Sequence, residues 1–120
     1  MKKRILVVDD EARIRHIYSR VIRAAASNVF DVLEASDATQ AGEVLVREKV
    51  DILLLDLRMP GINGVNFSRI IREISPGTQV IVTSVFSVEQ QRSLIPEARE
   101  YFDKSQGTLA LLDKIASVAI

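Results

Sequence analysis

Three short aliphatic runs punctuate the chain: Ile5-Leu6-Val7-Val8, Ile52-Leu53-Leu54-Leu55 and Val80-Ile81-Val82. Runs of this length without polar alternation suit strands covered on both faces, as in a parallel sheet. Phe30–Ala35 is more polar and suits an edge strand, and Arg99–Asp103, carrying Tyr101 and Phe102, reads as a fifth. Between these runs the apolar period lengthens to that of a helix. From Glu11 onward Ile14, Ile17, Tyr18, Val21, Ile22 and Ala25 share one face, while Arg13, Arg15, Arg20 and Arg23 take the others and read as a solvated surface. Ser36 is placed to cap a second helix bearing Ala38, Ala41, Gly42 and Leu45. A third carries Phe67, Ile70, Ile71 and Ile74 and stops at Pro76-Gly77. Ser87 and Gln90 form a capping box for a fourth helix of poor periodicity that soon meets Pro96, and Leu109–Ala119 makes a last helix with Leu112, Ile115, Ala116 and Ala119 inward.

Strand and helix thus alternate five times through short connections. Such connections demand a parallel sheet, because each helix must cross over to return the chain to the same edge. The expected fold class is α/β, three layers, with a doubly wound five-stranded parallel sheet between helices. The two most apolar strands, ending at Asp9 and Asp56, are expected at its centre.

The composition narrows the setting. A chain of 120 residues is the size of one domain, here taken as residues 1–120. With no cysteine, disulfides and thiolate metal sites are excluded. Met1-Lys2-Lys3-Arg4 opens onto too few apolar residues for a signal peptide, and every apolar run is far short of a membrane span, so a cytoplasmic protein with no membrane contact is expected. Sixteen basic residues cancel sixteen acidic ones, which leaves no general attraction to nucleic acid or anionic lipid.

Candidate chemistry collects at strand ends. Asp9, Asp10, Asp56, Ser84 and Lys104 all fall at or just past the carboxyl ends of expected strands, the rim where open parallel sheets gather ligands. Close carboxylates repel unless a cation joins them. A hard divalent ion such as Mg2+ meets that need through oxygen ligands, and the Lys104 ammonium and Ser84 hydroxyl could hold the oxygens of a phosphoryl group. Asp56 then stands where a nucleophile would. Taken singly, each has a plainer use: a helix cap, a turn cap, a strand-end hydroxyl, a solvated charge.

Together, the Asp9-Asp10 pair, Asp56 followed by Met59-Pro60-Gly61 and Gly64, the hydroxyl Ser84, the aromatic Tyr101 and Lys104 resemble the receiver domain of two-component response regulators. The resemblance runs from Ile5 to the last helix and implies a flavodoxin-like fold with strand order 2-1-3-4-5. It implies Asp56 as phosphoacceptor, and Asp9, Asp10, Asp56 and the backbone carbonyl of Arg58 as Mg2+ ligands. Lys104 is implied as phosphate counterion, Ser84 as switch hydroxyl and Tyr101 as the aromatic that turns inward on phosphorylation. Implied partners are a sensor histidine kinase or histidine phosphotransfer protein as donor, and an output domain or protein partner as receiver of the signal, with homodimerisation on phosphorylation. Direct nucleic-acid binding by the domain is not expected, nor is enzymatic turnover.

Four positions depart from the family pattern. Ser105 follows the lysine where proline is usual, Glu97 precedes Ala98 in place of glycine, the Ser84–Lys104 segment is about two residues short, and Val85 occupies a usually small position. Without proline a cis Lys104-Ser105 bond would cost about 2.5–4 kcal/mol, so a trans bond is expected, with Ser105 capping the last helix. Two other classes bear on the same residues. A phosphorylation-independent interaction module would keep the fold without the transfer. An aspartyl-phosphate hydrolase of the haloacid dehalogenase type would place its acid two residues after the nucleophile, a series that Asp9-Asp10-Glu11-Ala12 lacks. No glycine-rich phosphate loop follows the first strand, which disfavours a nucleotide or flavin site.

Overall fold

The computed structural model describes residues 2–59 and 63–119, so the expected Pro60-Gly61 turn lies outside the described residues. The elements alternate as β1 (Lys3–Val8), α1 (Ala12–Ala26), β2 (Phe30–Ala35), α2 (Ala38–Arg47), β3 (Ile52–Asp56), α3 (Gly64–Ile74), β4 (Gln79–Ser84), α4 (Val88–Leu94), β5 (Glu100–Asp103) and α5 (Thr108–Ala119). All neighbouring strands pair in parallel, in the order β2-β1-β3-β4-β5. The expected fold class and strand order hold. β3, with five buried residues in a row, is the central strand and β1 flanks it, whereas the more polar β2 lies at an edge.

The unbroken aliphatic runs are explained by two cores, one on each face of the sheet. Leu6, Val8, Leu53, Leu55, Val80 and Val82 pack against Ala41 and Leu45 of α2, Phe67 and Ile71 of α3, and Ile95 after α4. The alternate residues Ile5, Val7, Ile52, Leu54 and Ile81 pack with Phe102 against Tyr18 and Ile22 of α1 and Leu111, Ile115 and Val118 of α5. Register then levels the strand ends: Val8 lies beside both Ala35 and Leu55, Asp56 beside Thr83, and Ser84 beside Asp103. One rim of the sheet therefore receives the residues that follow β1, β3, β4 and β5.

Several local expectations need correction. On α1 the inward stripe is Tyr18, Ser19 and Ile22, with Arg15 half-buried, while Ile17 and Ala25 face solvent. A helix lying near α5 presents a shifted stripe to the sheet, and the long arginine stem can follow it inward. On α5 the inner residues are Leu111, Ile115 and Val118, and Ala116 is exposed. That helix is apolar nearly all round, so periodicity left its phase open. Asp37, not Ser36, caps α2 by accepting from the Gln40 amide at 2.8 Å. The capping box of α4 is present as expected, Ser87 Oγ accepting from Gln90 N while Gln90 Oε1 accepts from Ser87 N. No cis peptide occurs among the described residues, so Lys104-Ser105 is trans. Ser105 does not cap α5, however: its amide and hydroxyl both donate to Asp103 Oδ1, at 2.9 and 2.7 Å, inside a 3-10 turn over Lys104–Gln106. Gly107, at φ +85°, then redirects the chain into α5, a conformation that side chains disfavour.

Candidate functional site

β1 delivers Asp9 and Asp10 to the rim and β3 delivers Asp56, and one carboxylate oxygen from each lies within 4.8 Å of the other two. Asp9 is 1% exposed and Asp56 4%, whereas Asp10 stands in solvent. Lys104, just past β5, reaches back across the sheet and places its ammonium 3.0 Å from Asp9 Oδ2 and 3.4 Å from Asp56 Oδ1. The backbone supplies the remaining partners. Glu11 N donates to Asp9 Oδ1 at 3.0 Å, and Arg58 N donates to Asp56 Oδ1 at 3.2 Å. Each buried carboxylate is thus held by one amide two residues onward and by the shared ammonium.

Burial pushes the Asp56 carboxyl up to about 6; Lys104 opposes the shift and the neighbouring Asp9 adds to it. Burial also works against the Lys104 ammonium, but Asp56 and Asp9 together outweigh it, and its pKa stands above the ordinary lysine value. One ammonium therefore faces three carboxyl groups, an uneven balance that a further cation would correct. All the side-chain donors are carboxylate oxygens, with no histidine or cysteine among them, the chemistry of a hard divalent ion. On this donor set the residues fit Mg2+.

A cleft of about 180 Å³ opens over the cluster, lined by Asp10, Glu11, Asp56, Arg58, Ser84, Val85 and Lys104. The guanidinium of Arg58, one of the lining residues, lies 5.9 Å from the centre of the Phe86 ring. Val85 is 64% exposed at the mouth. The Ser84 hydroxyl lines the same cleft and accepts from the Phe86 amide at 3.1 Å, which ties it to its own loop.

Tyr101 is brought to the other side of this loop, not to the cleft. Its ring is 3% exposed, its hydroxyl donates to the Ile95 carbonyl at the end of α4, and the Arg92 guanidinium stacks 5.0 Å from its centre. Tyr101, the aromatic expected to turn inward on phosphorylation, is buried and held by this hydrogen bond. α4, doubtful from its periodicity, is pinned by a residue that periodicity did not single out. Buried Gln91 donates through Nε2 to both the Phe86 and the Phe102 carbonyls at 2.9 Å. Tyr18, which helical periodicity marks only as core, has a phenol on which Lys104, Asp9 and Asp56 all act and whose pKa burial raises. Arg15, which the helical pattern assigns to the solvated surface, donates to the Asp9 carbonyl at 2.8 Å and to Glu34 Oε1 at 3.1 Å. Its place four residues into a helix that follows a strand-end acid pair was the available signal.

Residues 5–116 match the response regulator receiver domain. The chain is 34% identical over 98 residues to the chemotaxis protein CheY of Thermotoga maritima, covering 82% of this chain and 78% of that protein. It is 37% identical over 84 residues to the DNA-binding response regulator MtrA of Mycolicibacterium paratuberculosis, covering 70% of this chain but 36% of that protein, so the match spans about a third of such relatives. Among solved structures, the response regulator protein TrrA of Thermotoga maritima in complex with Mg(2+)-BeF superposes with a TM-score of 0.80 at 28% identity, covering 97% of this chain and 98% of that one.

Proposed function

Because the chain belongs to the receiver domain family of two-component response regulators, whose function is phosphorylation-based signalling, we propose that Asp56 is its phosphoacceptor and that Asp9, Asp10 and Asp56 hold Mg2+. The observation that carries the reading is the convergence of Lys104 on Asp56 and Asp9 beside exposed Asp10, residues drawn from three strand ends. Asp56 Oδ1 is occupied by the Arg58 amide and Lys104, which leaves Oδ2 to attack the phosphorus of a phosphohistidine. The new bond is carboxylate oxygen to phosphorus; the bond broken is phosphorus to imidazole nitrogen, and its electron pair leaves with the imidazole. Bound Mg2+ would neutralise charge on the phosphoryl oxygens and, with the Arg58 carbonyl as a further ligand, spread the load of three carboxylates. Lys104 is placed to pair with a second phosphoryl oxygen. The Ser84 hydroxyl, which accepts from the Phe86 amide, keeps its own proton to donate to a third, which would couple the phosphoryl group to the loop that Gln91 ties to β5.

The phosphoryl group stays on the chain, which makes the domain a signalling element and not a turnover enzyme. The donor in this reading is a sensor histidine kinase or histidine phosphotransfer protein, and the signal passes to an output domain or protein partner, or to a second copy. Residues 1–120 act as one receiver unit in the cytoplasm, in keeping with the absence among the described residues of any helix able to cross a membrane. The test is treatment with acetyl phosphate with and without Mg2+, followed by intact mass. One phosphoryl adduct is expected, dependent on metal and absent in Asp56→Ala; an adduct that persists in that variant, or forms equally without metal, would overturn the assignment.

A further inference from the structure

We propose that Arg15 is a positioning residue for the metal site, holding the Asp9-Asp10 peptide so that the exposed Asp10 carboxylate faces the cation. The inference rests on the Mg2+ reading of Asp9, Asp10 and Asp56. In the parallel pairing of β1 with β2, the Asp9 amide donates to the Ala35 carbonyl at 3.2 Å, the last rung of that ladder. The next rung would bring the Asp37 amide to the Asp9 carbonyl, since parallel ladders step by two residues. Asp37 has already turned away to cap α2. Arg15 Nη1 takes the vacated place, donating to the Asp9 carbonyl at 2.8 Å.

The Asp9 side chain needs no such help, since Glu11 N and Lys104 hold its two oxygens. Asp10 does, because no hydrogen bond or ion pair restrains its side chain among the described residues, and its direction follows from the peptide plane that Arg15 fixes. The guanidinium is itself fixed: Nε donates to Glu34 Oε1 at 3.1 Å, and the side chain is only 14% exposed. His16 Nε2 lies 3.5 Å from the same Glu34 oxygen and adds a second group to that anchor. Glu34 also cancels the guanidinium charge, so Arg15 can stand behind a cation site without repelling the cation. Two donors in one plane reaching two acceptors is the geometry of arginine and not of lysine.

The two roles that Arg15 could play have opposite signs. As a bare positive charge it would weaken cation binding, and its removal would tighten it. As a positioning residue its removal loosens binding, on the order of tenfold or more for a group that orients a metal ligand. Mg2+ is titrated calorimetrically into the 120-residue chain as wild type, Arg15→Met, Arg15→Lys and Glu34→Gln, with thermal unfolding in metal-free buffer run alongside. Arg15→Met is expected to raise the Mg2+ Kd about tenfold, Arg15→Lys to restore only part of the loss, and Glu34→Gln to cost a smaller factor. An unchanged or lower Kd in Arg15→Met, or full restoration by lysine, overturns the proposal. Should Arg15→Met not fold, a wild-type Kd in Arg15→Lys overturns it equally. Asp10→Asn is the control for the site itself: a wild type that binds no Mg2+, or an Asp10→Asn that binds normally, refutes the metal site and the positioning role with it.

Discussion

At the scale of single residues, Asp56 sets the cost of the site. Its carboxyl titrates near 6 in the fold against 3.8 as an isolated group, because burial disfavours the charge more than Lys104 favours it. Between those values the folded chain holds more protons than the unfolded one, so this group's contribution to stability falls as pH rises from about 4 to 6. Above that window the ionised, buried Asp56 is a standing penalty. In metal-free buffer Asp56→Asn should therefore be more stable than wild type at pH 7.5, by roughly 1–3 kcal/mol, with the gap closing toward pH 4. Urea unfolding of both proteins across that range measures it; a variant less stable at pH 7.5 would mean that the Lys104 pairing outweighs burial. Asp56, the proposed phosphoacceptor, is thus a buried charge held at a cost, the condition in which an added cation does most.

At the scale of elements, the first residue of α3 packs directly against the backbone that follows β3. A Cβ on Gly64 would lie 2.8 Å from the Leu57 carbonyl oxygen and 2.9 Å from its Cα, backbone atoms that cannot step aside, and the Gly64 amide donates to that same carbonyl at 3.2 Å. Gly42, inside α2, has open space where its Cβ would be. Gly64→Ala should cost about 1–3 kcal/mol as overpacking, whereas Gly42→Ala should gain about 0.5–1 kcal/mol from helix propensity. Chemical denaturation of the two variants checks the contrast, and equal effects would show that helix propensity and not the close approach governs Gly64. α4 belongs to this scale as well. Its seven residues are fastened by a capping box, by Gln91 and by the Tyr101 hydroxyl, side-chain devices that replace the broad apolar stripe of the other helices.

At the scale of the molecule, two cores share one sheet, and the helices differ in how much of each they cover. α1 and α5 close one face with Tyr18, Ile22, Leu111, Ile115 and Val118, but α4 offers the other face mainly buried Gln91 and the flanking Ile95. Local opening follows the apolar burial an element would forfeit. Amide exchange in metal-free buffer should be slowest in β1, β3 and β4 and fastest, among the helices, in α4. Protection of α4 equal to that of α1 would contradict this. The same unevenness suits a signalling domain, since the helix with the least apolar burial is the one joined through Phe86 to the Ser84 loop.

The order of elements, the parallel sheet, its strand order by resemblance, and the gathering of Asp9, Asp10, Asp56, Ser84 and Lys104 at one rim were all legible in the chain. They depend on runs of residue type and on strand ends, and both are local properties. Helix phase was not legible. Ile17 and Ala25 turn outward while Arg15 turns inward, and Leu111 replaces Leu112 on the inner face of α5, because neighbours decide which side of a broad apolar surface is covered. Nor was the place of Ser105 within the 3-10 turn, the buried position of Tyr101, or the clamp made by Gln91. Each depends on a carbonyl or carboxylate left over where an element ends, and the chain's path in space decides which side chain lies close enough to satisfy it.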